Sequence, residues 1–377
     1  MNVLVISSWY PNQNNSVSGI FVYEQVKALK LLGINVKVFY PFDKTIEKGR
    51  IFKSIEEDIV VYRCNTDYIK NTKISRINSI RKSVTILDKI IEEEKVDLIH
   101  AHVCYTAGII AALHSIFYKK VPYIITEHFS KVKEYSEKYY NKKLFHFAYK
   151  NAQKVITVSN SLKNELSSLG YIFNGKVIGN IVDTTPYNIK DEKKVNTELK
   201  GIFIGLMSDN EVKGLQYFIP ALHAVFNKYN YNIKFTFVGD GSKREKYEKI
   251  VSDLNISDIC NFVGKVPKNE IPEYIMDHDF LVLPSIKETF GSVLIEAMAA
   301  GKPVLATKCG GPNEFVTKDV GLLVEKESQE ALEEGLVYMI NNCKRFDSYY
   351  IRKYVVENYS YQSIGNQLID VYNSILK

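Results

Sequence analysis

The chain has 377 residues, of which 46% are hydrophobic and 24% charged, with a formal net charge of +6. That length exceeds one ordinary core and suits two domains, and the composition is that of a soluble globular protein, excluding collagen-like, low-complexity and disordered classes. Five cysteines, Cys64, Cys104, Cys260, Cys309 and Cys343, are widely spaced and form no C-x-x-C pair, so neither a disulfide framework nor a zinc knuckle is expected.

From the amino end, short apolar runs alternate with helical patterns, the signature of parallel α/β units. Asn2–Ser7 already reads as a buried strand, with no basic head or cleavable apolar segment before it, so a cytoplasmic protein without a leader is expected. No apolar run approaches the roughly 20 residues that span a bilayer. Further strands are expected at Asn35–Tyr40, Ile59–Arg63, Asp97–Ala101, Tyr123–Thr126, Lys154–Val158 and Lys176–Ile178, with helices over Phe21–Leu32 and Ile74–Glu94. In the second helix Ile77, Ile80, Val84, Leu87 and Ile91 recur every three or four residues, which makes one face fit to lie on a sheet.

Between Phe117 and Lys154 nine lysines stand against three glutamates, interleaved with aromatics such as Phe129, Tyr135, Tyr139, Tyr140 and Phe147. Such a stretch suits an anionic membrane surface or a lysine-rich solvated helix. Nucleic acid would accept the same charges but is not an expected partner. Hydrophobic patterning lapses across Asp183 to Lys200, where Pro186, lysines and acidic residues gather. This places a linker at 184–199 between a first domain, 1–183, and a second, 200–359. The second series of strands is expected at Gly201–Gly205, Lys234–Val238, Cys260–Val263, Phe280–Leu283, Pro303–Ala306 and Gly321–Val324. Residues 360–377 read as a helix with Ile364, Leu368, Val371 and Ile375 on one stripe.

In open parallel sheets ligands gather where strands end. After the first strand come Ser8-Trp9-Tyr10-Pro11 and then Gly19 at a helix start, where a glycine lets the backbone approach an anion. His100 and His102 share one face of a strand, but no third metal ligand is evident, so hydrogen-bonded strand-end histidines are expected. His128 follows a strand, and Lys213-Gly214 precedes a helical run over Leu215–Phe226. Gly239-Asp240-Gly241 lacks the third glycine of a dinucleotide fingerprint. Gly264-Lys265-Val266 follows another strand, and Gly310-Gly311-Pro312-Asn313-Glu314 is expected to begin a helix. Most informative are Glu288 and Glu296, eight positions apart, bracketing Gly291 at an expected helix start just after the strand Phe280–Leu283. The free N–H groups of such a start suit phosphate oxygens, while the carboxylates suit hydroxyl groups.

With Pro284-Ser285 before it, the stretch from Glu288 to Glu296 resembles the E-x7-E element of retaining nucleotide-sugar glycosyltransferases of the GT-B type, family 4. The resemblance covers nearly the whole chain and implies two Rossmann-like domains with parallel sheets facing across a cleft, and a last helix returning to the first domain. It implies that Glu288 contacts the transferred sugar, Glu296 the nucleotide ribose, the Phe290-Gly291-Ser292 backbone the phosphates, and the backbone near Val266 the base. It further implies that Gly19 faces the donor phosphates, that His128 reaches the donor sugar or reacting centre, and that Lys213 neutralises the departing diphosphate. No cofactor or metal is implied. The partners implied are a UDP- or GDP-sugar and a glycan or lipid-linked acceptor. Most family members carry an arginine where this chain has Leu206, which leaves room for a non-catalytic partner of another transferase. An oxidoreductase would need the full glycine fingerprint near the first strand, which Ser7-Ser8-Trp9-Tyr10-Pro11 does not supply.

Overall fold

A computed structural model describes residues 1–66, 73–118, 121–189, 198–229 and 231–377. The chain divides into two compact units, residues 1–181 with 361–377 and residues 182–360.

In the first unit the strands are β1 (Asn2–Ser7), β2 (Asn35–Tyr40), β3 (Ile51–Glu56), β4 (Ile59–Cys64), β5 (Leu98–His102), β6 (Tyr123–Glu127), β7 (Lys154–Thr157) and β8 (Gly175–Val177). They form one sheet in the order β3-β4-β2-β1-β5-β6-β7-β8. Every pair is parallel except β3 with β4, an antiparallel edge hairpin that was not expected from the sequence. Its six residues include exposed Ile51, Phe52 and Ile55, so the apolar pattern of a buried parallel strand is missing there. The central strands are buried on both faces, which requires helices on each side. These are α1 (Ile20–Leu31), α2 (Lys73–Glu94), α3 (Ile109–Phe117), α4 (Val132–Ser136), α5 (Tyr139–Asn151) and α6 (Asn160–Ser168).

The second unit repeats the plan with β9 (Leu199–Ile204), β10 (Ile233–Val238), β11 (Cys260–Gly264), β12 (Phe280–Leu283), β13 (Val304–Thr307) and β14 (Gly321–Val324), ordered β11-β10-β9-β12-β13-β14 and parallel at each described pairing. Its helices are α7 (Leu215–Tyr229), α8 (Arg244–Asp253), α9 (Ile271–Met276), α10 (Ser292–Ala299), α11 (Gln329–Asn342) and α12 (Ser348–Tyr359). Of the segment expected as linker, Thr184 accepts a hydrogen bond from Arg352 at 3.1 Å within this unit. Residues 190–197 lie outside the described residues.

The last helix, α13 (Tyr361–Leu376), belongs to the first unit. Its buried stripe of Ile364, Leu368, Val371 and Tyr372 packs on α1, and Tyr361 donates to Glu24 of α1. Deep in the sheet, Tyr372 Oη lies 2.7 Å from Nδ1 of His100, whose Nε2 meets Thr126 Oγ1 at 2.7 Å. The strand-end histidine is therefore a hydrogen-bonded core residue, with burial holding its imidazole down to about 3.

Candidate active site

At the carboxyl edge of the second sheet two loops are pressed together. The N–H of Ile286, after β12, donates to Val212 O, after β9, at 2.8 Å. Gly214 has φ +72°, and a Cβ there would stand 1.8 Å from Pro284 O, so only glycine fits the crossing. This crossing brings together two residues 75 positions apart: Lys213 Nζ lies 2.5 Å from Glu288 Oε1. Ser285 Oγ donates to the same carboxylate oxygen at 2.8 Å. The backbone of Glu288 is itself pinned, its N–H to Cys309 O and its carbonyl to the N–H of Gly311, each at 3.0 Å. That pairing holds Gly311–Glu314 as a short 3-10 turn rather than the helix expected there.

Gly291, with φ +94°, stands at the N-cap of α10, where it has no side chain to offer the helix start. The Phe290 ring points into the core against Phe315 at 4.8 Å and Tyr359 at 5.7 Å, so its backbone is what it can offer a ligand. Ser292 is the first residue of α10, and Glu296 projects from its second turn. Glu296 is not free either: its Oε1 lies 2.5 Å from Lys268 Nζ, two residues beyond buried Val266. Lys268 had no signal in the sequence, because only the fold brings the loop after β11 to α10. The four side chains keep 13–35% of their surface exposed, and partly exposed pairs of this kind exchange partners at small cost. The edge thus carries two lysines, two glutamates and a helix start headed by a glycine within one unit. Leu206, in the arginine's place, is 62% exposed. The long loop after it is tied down by Glu211, which accepts from Lys246 at 2.6 Å and Tyr247 at 3.2 Å.

His128 and Gly19 belong to the first unit. His128 is nearly enclosed, its Nε2 3.2 Å from His102 Nδ1 and its ring 4.2 Å from that of Phe21. Burial, and then the neighbouring His100, hold its imidazole down to about 3, with Asn180 acting in the opposite direction. A neutral ring at physiological pH follows. Its backbone is set by Glu127, a fully buried carboxylate that the sequence reading passed over. Glu127 accepts from the N–H groups of Cys104 (3.0 Å), His128 (3.0 Å) and Phe129 (2.9 Å) and from Tyr149 Oη (2.6 Å). Gly19 has φ +66°, and a Cβ there would stand 1.9 Å from Trp9 O, which accounts for a glycine at the start of α1.

Two family descriptions tile the chain, "Glycosyltransferase Family 4" over residues 18–186 and "Glycosyl transferases group 1" over 187–360. Solved structures share the fold: sucrose-phosphate synthase from Thermosynechococcus elongatus matches with a TM-score of 0.82 at 20% identity, covering 100% of this chain and 99% of that one. Anabaena HepE in complex with UDP-glucose matches at 0.77 and 20%, covering 99% and 100%. The architecture is that of the GT-B glycosyltransferases, and the activity class is glycosyl transfer. The chain belongs to family 4 of these enzymes, the group 1 glycosyl transferases. Among relatives, an uncharacterised glycosyltransferase of Methanocaldococcus jannaschii is 29% identical over 91% of this chain and 89% of its own. The N-acetyl-alpha-D-glucosaminyl L-malate synthase of Bacillus anthracis is 26% identical over 77% of each.

Proposed function

We propose that the protein is a retaining hexosyltransferase that moves a sugar from a UDP- or GDP-sugar to a glycan or lipid-linked acceptor in surface polysaccharide or glycoconjugate synthesis. The observation that carries the reading is the Lys213–Glu288 pair beside the glycine-headed start of α10, with Glu296 one turn further on. Glu288 addresses the hydroxyls of the transferred sugar, Glu296 the ribose, the Phe290-Gly291-Ser292 backbone the phosphates and the Val266 region the base. Gly19 permits close approach to the donor phosphates, and His128 acts at the donor sugar as a neutral hydrogen-bonding group.

In the reaction the bond from the anomeric carbon to the diphosphate oxygen breaks and a bond to the acceptor oxygen forms on the same face. The acceptor's proton passes to the departing phosphate oxygen. Negative charge developing on that phosphate is met by Lys213 and the helix start, which are already in place. The two-carboxylate separation rule of glycoside hydrolases does not apply, because Glu296 serves the ribose and not the anomeric carbon. No metal takes part, and chelator should leave the rate unchanged. A panel of nucleotide sugars screened by thermal shift, followed by NMR of the product's anomeric proton, tests the reading. Stabilisation by a donor and retained configuration support it; an inverted product removes the same-face mechanism.

The proposed setting is the cytoplasmic face of an anionic membrane, reached through residues 117–154. Among the described residues Phe117 and Tyr139 are each 72% exposed and Ile116 is 46% exposed. Helix α5 carries Lys142, Lys143 and Lys150 and no acidic residue. Beside it a groove of about 720 Å³ is lined by Ile77, Val84, Leu113, Phe117, Tyr140 and Leu144. Each lysine near such a surface contributes about 1 kcal/mol at most. Among the described residues no helix is long and apolar enough to cross a membrane. Co-sedimentation with phosphatidylglycerol vesicles, lost on Lys142→Glu/Lys143→Glu, is expected; equal binding to neutral vesicles, or preference for duplex DNA, would reject this partner.

A further inference from the structure

Trp9 is the chain's single tryptophan, and its surroundings hold it partly exposed on a rigid backbone. Its N–H donates to Ser7 Oγ at 3.3 Å, and the Ser7 hydroxyl donates back to the Trp9 carbonyl. On the other side of that carbonyl stands Gly19, with no room for a side chain. The neighbours Ser8 and Tyr10 are buried, Ser8 being tied to His102 O at 3.2 Å. Between these two buried residues, Trp9 is partly exposed.

That ring meets Phe129 at 5.5 Å and 50°. The N–H of Phe129 is held by Glu127, the same carboxylate that holds the backbone of His128. Behind Phe129 stand Tyr135 at 5.1 Å and Tyr105 at 6.0 Å, both packed on the apolar core. Trp9 and Phe129 are thus each partly exposed and backed by packed rings, at the carboxyl edge of the first sheet and one residue from His128. A supported aromatic face that is partly open, at the edge where α/β sheets bind ligands, suits a molecule with one apolar face and polar groups around its rim. A pyranose ring has that form: its C–H groups face the indole and its hydroxyls stay free to hydrogen-bond. A phosphate or carboxylate acceptor would gain nothing from it.

We propose that Trp9 and Phe129 form the platform on which a pyranose ring of the acceptor stacks, so that the acceptor is a glycoside at its reacting end. The assignment rests on the transferase reading above and narrows it to an acceptor class. With one indole in the chain, tryptophan emission, excited beyond the tyrosine band, reports on this place alone. The full-length protein is titrated with methyl glycosides of glucose, galactose and N-acetylglucosamine, with glycerol and phosphatidylglycerol vesicles as controls. A saturable emission change with at least one glycoside, weakened in Phe129→Leu, is the expected result. Silence with every glycoside, the same change with glycerol, or a change only with vesicles overturns the platform.

The second arm measures how a turned-over nucleotide sugar divides between the bound glycoside and water. Trp9→Ala should lower transfer relative to donor hydrolysis by about tenfold, the equivalent of one lost aromatic contact, and Trp9→Phe should restore most of it. An unchanged ratio, or a parallel fall in transfer and hydrolysis, rejects the role. Absence of any nucleotide-sugar turnover in the wild type is a different failure, that of the transferase reading itself.

Discussion

The carboxyl edges of the two sheets solve opposite problems with the same architecture. The first is neutral at its histidines and closed apart from partly exposed Trp9 and Phe129: His100, His102 and His128 are buried, uncharged and hydrogen-bonded, with aromatic rings beside them. The second is charged and half open, with two lysine–glutamate pairs whose members answer one another. A closed neutral edge has its geometry set before any ligand arrives. Charged groups near water are instead kept ready by provisional partners, since each pair must part or share when a phosphate or hydroxyl enters. Shape is stored in one unit and charge in the other.

The largest effect should come from Glu288→Ala, which removes the partner of Lys213 and, on the proposed reading, the sugar contact. Transfer should fall to background, and full activity would take Glu288 out of the site. Lys213→Ala should lower kcat by about 100-fold while donor affinity changes less; equal losses in kcat and binding would contradict a role tied to the departing phosphate. Gly214→Ala sharpens the contrast from the side of the backbone. Its φ of +72° and the 1.8 Å approach to Pro284 O should cost the second unit about 2–3 kcal/mol in denaturant unfolding, and an unaltered midpoint would mean that the loop crossing is loose.

A further effect concerns acid. His100 and His128 titrate at about 3 in the folded first unit, against 6.5 for an ordinary imidazole. In that window the unfolded chain binds the additional protons, so stability is full above about pH 6.5 and declines as pH falls. The slope reaches about 1.4 kcal/mol per pH unit for each histidine. Glu127, raised by burial from the ordinary 4.5, works in the opposite sense above about pH 4.5, where the folded state keeps a proton that the unfolded chain has lost. Urea unfolding of the first unit that stays flat from about pH 7 to about pH 5 would show that these imidazoles are hydrated.

The strands that build both sheets were readable because strands covered on two faces are nearly continuous apolar runs, as in Leu4-Val5-Ile6 and Phe280-Leu281-Val282-Leu283. Strand β3 escaped because an exposed antiparallel edge needs no such run. The spacing of Glu288 and Glu296 and the glycine between them were legible as a helix start. The resemblance marked Lys213, but neither its pairing with Glu288 nor the role of Lys268 beside Glu296 was legible, since the lysines are 75 and 28 positions away and only the crossing of loops brings them there. Glu127 was invisible for a related reason: a carboxylate satisfied by three N–H groups and a tyrosine has no signature until the chain turns around it. The histidine network was half legible. A strand-end pair without a third ligand reads as hydrogen-bonded, but Tyr372, 272 residues downstream, could not be named as its partner.

That tyrosine sits on α13, which is translated after the entire second unit yet completes the core of the first. While the ribosome is still making residues 182–360, β1 to β8 must wait with α1 uncovered along its apolar stripe and His100 lacking a hydroxyl. A nascent first unit is thus incomplete, and its closing is timed by the synthesis of its neighbour.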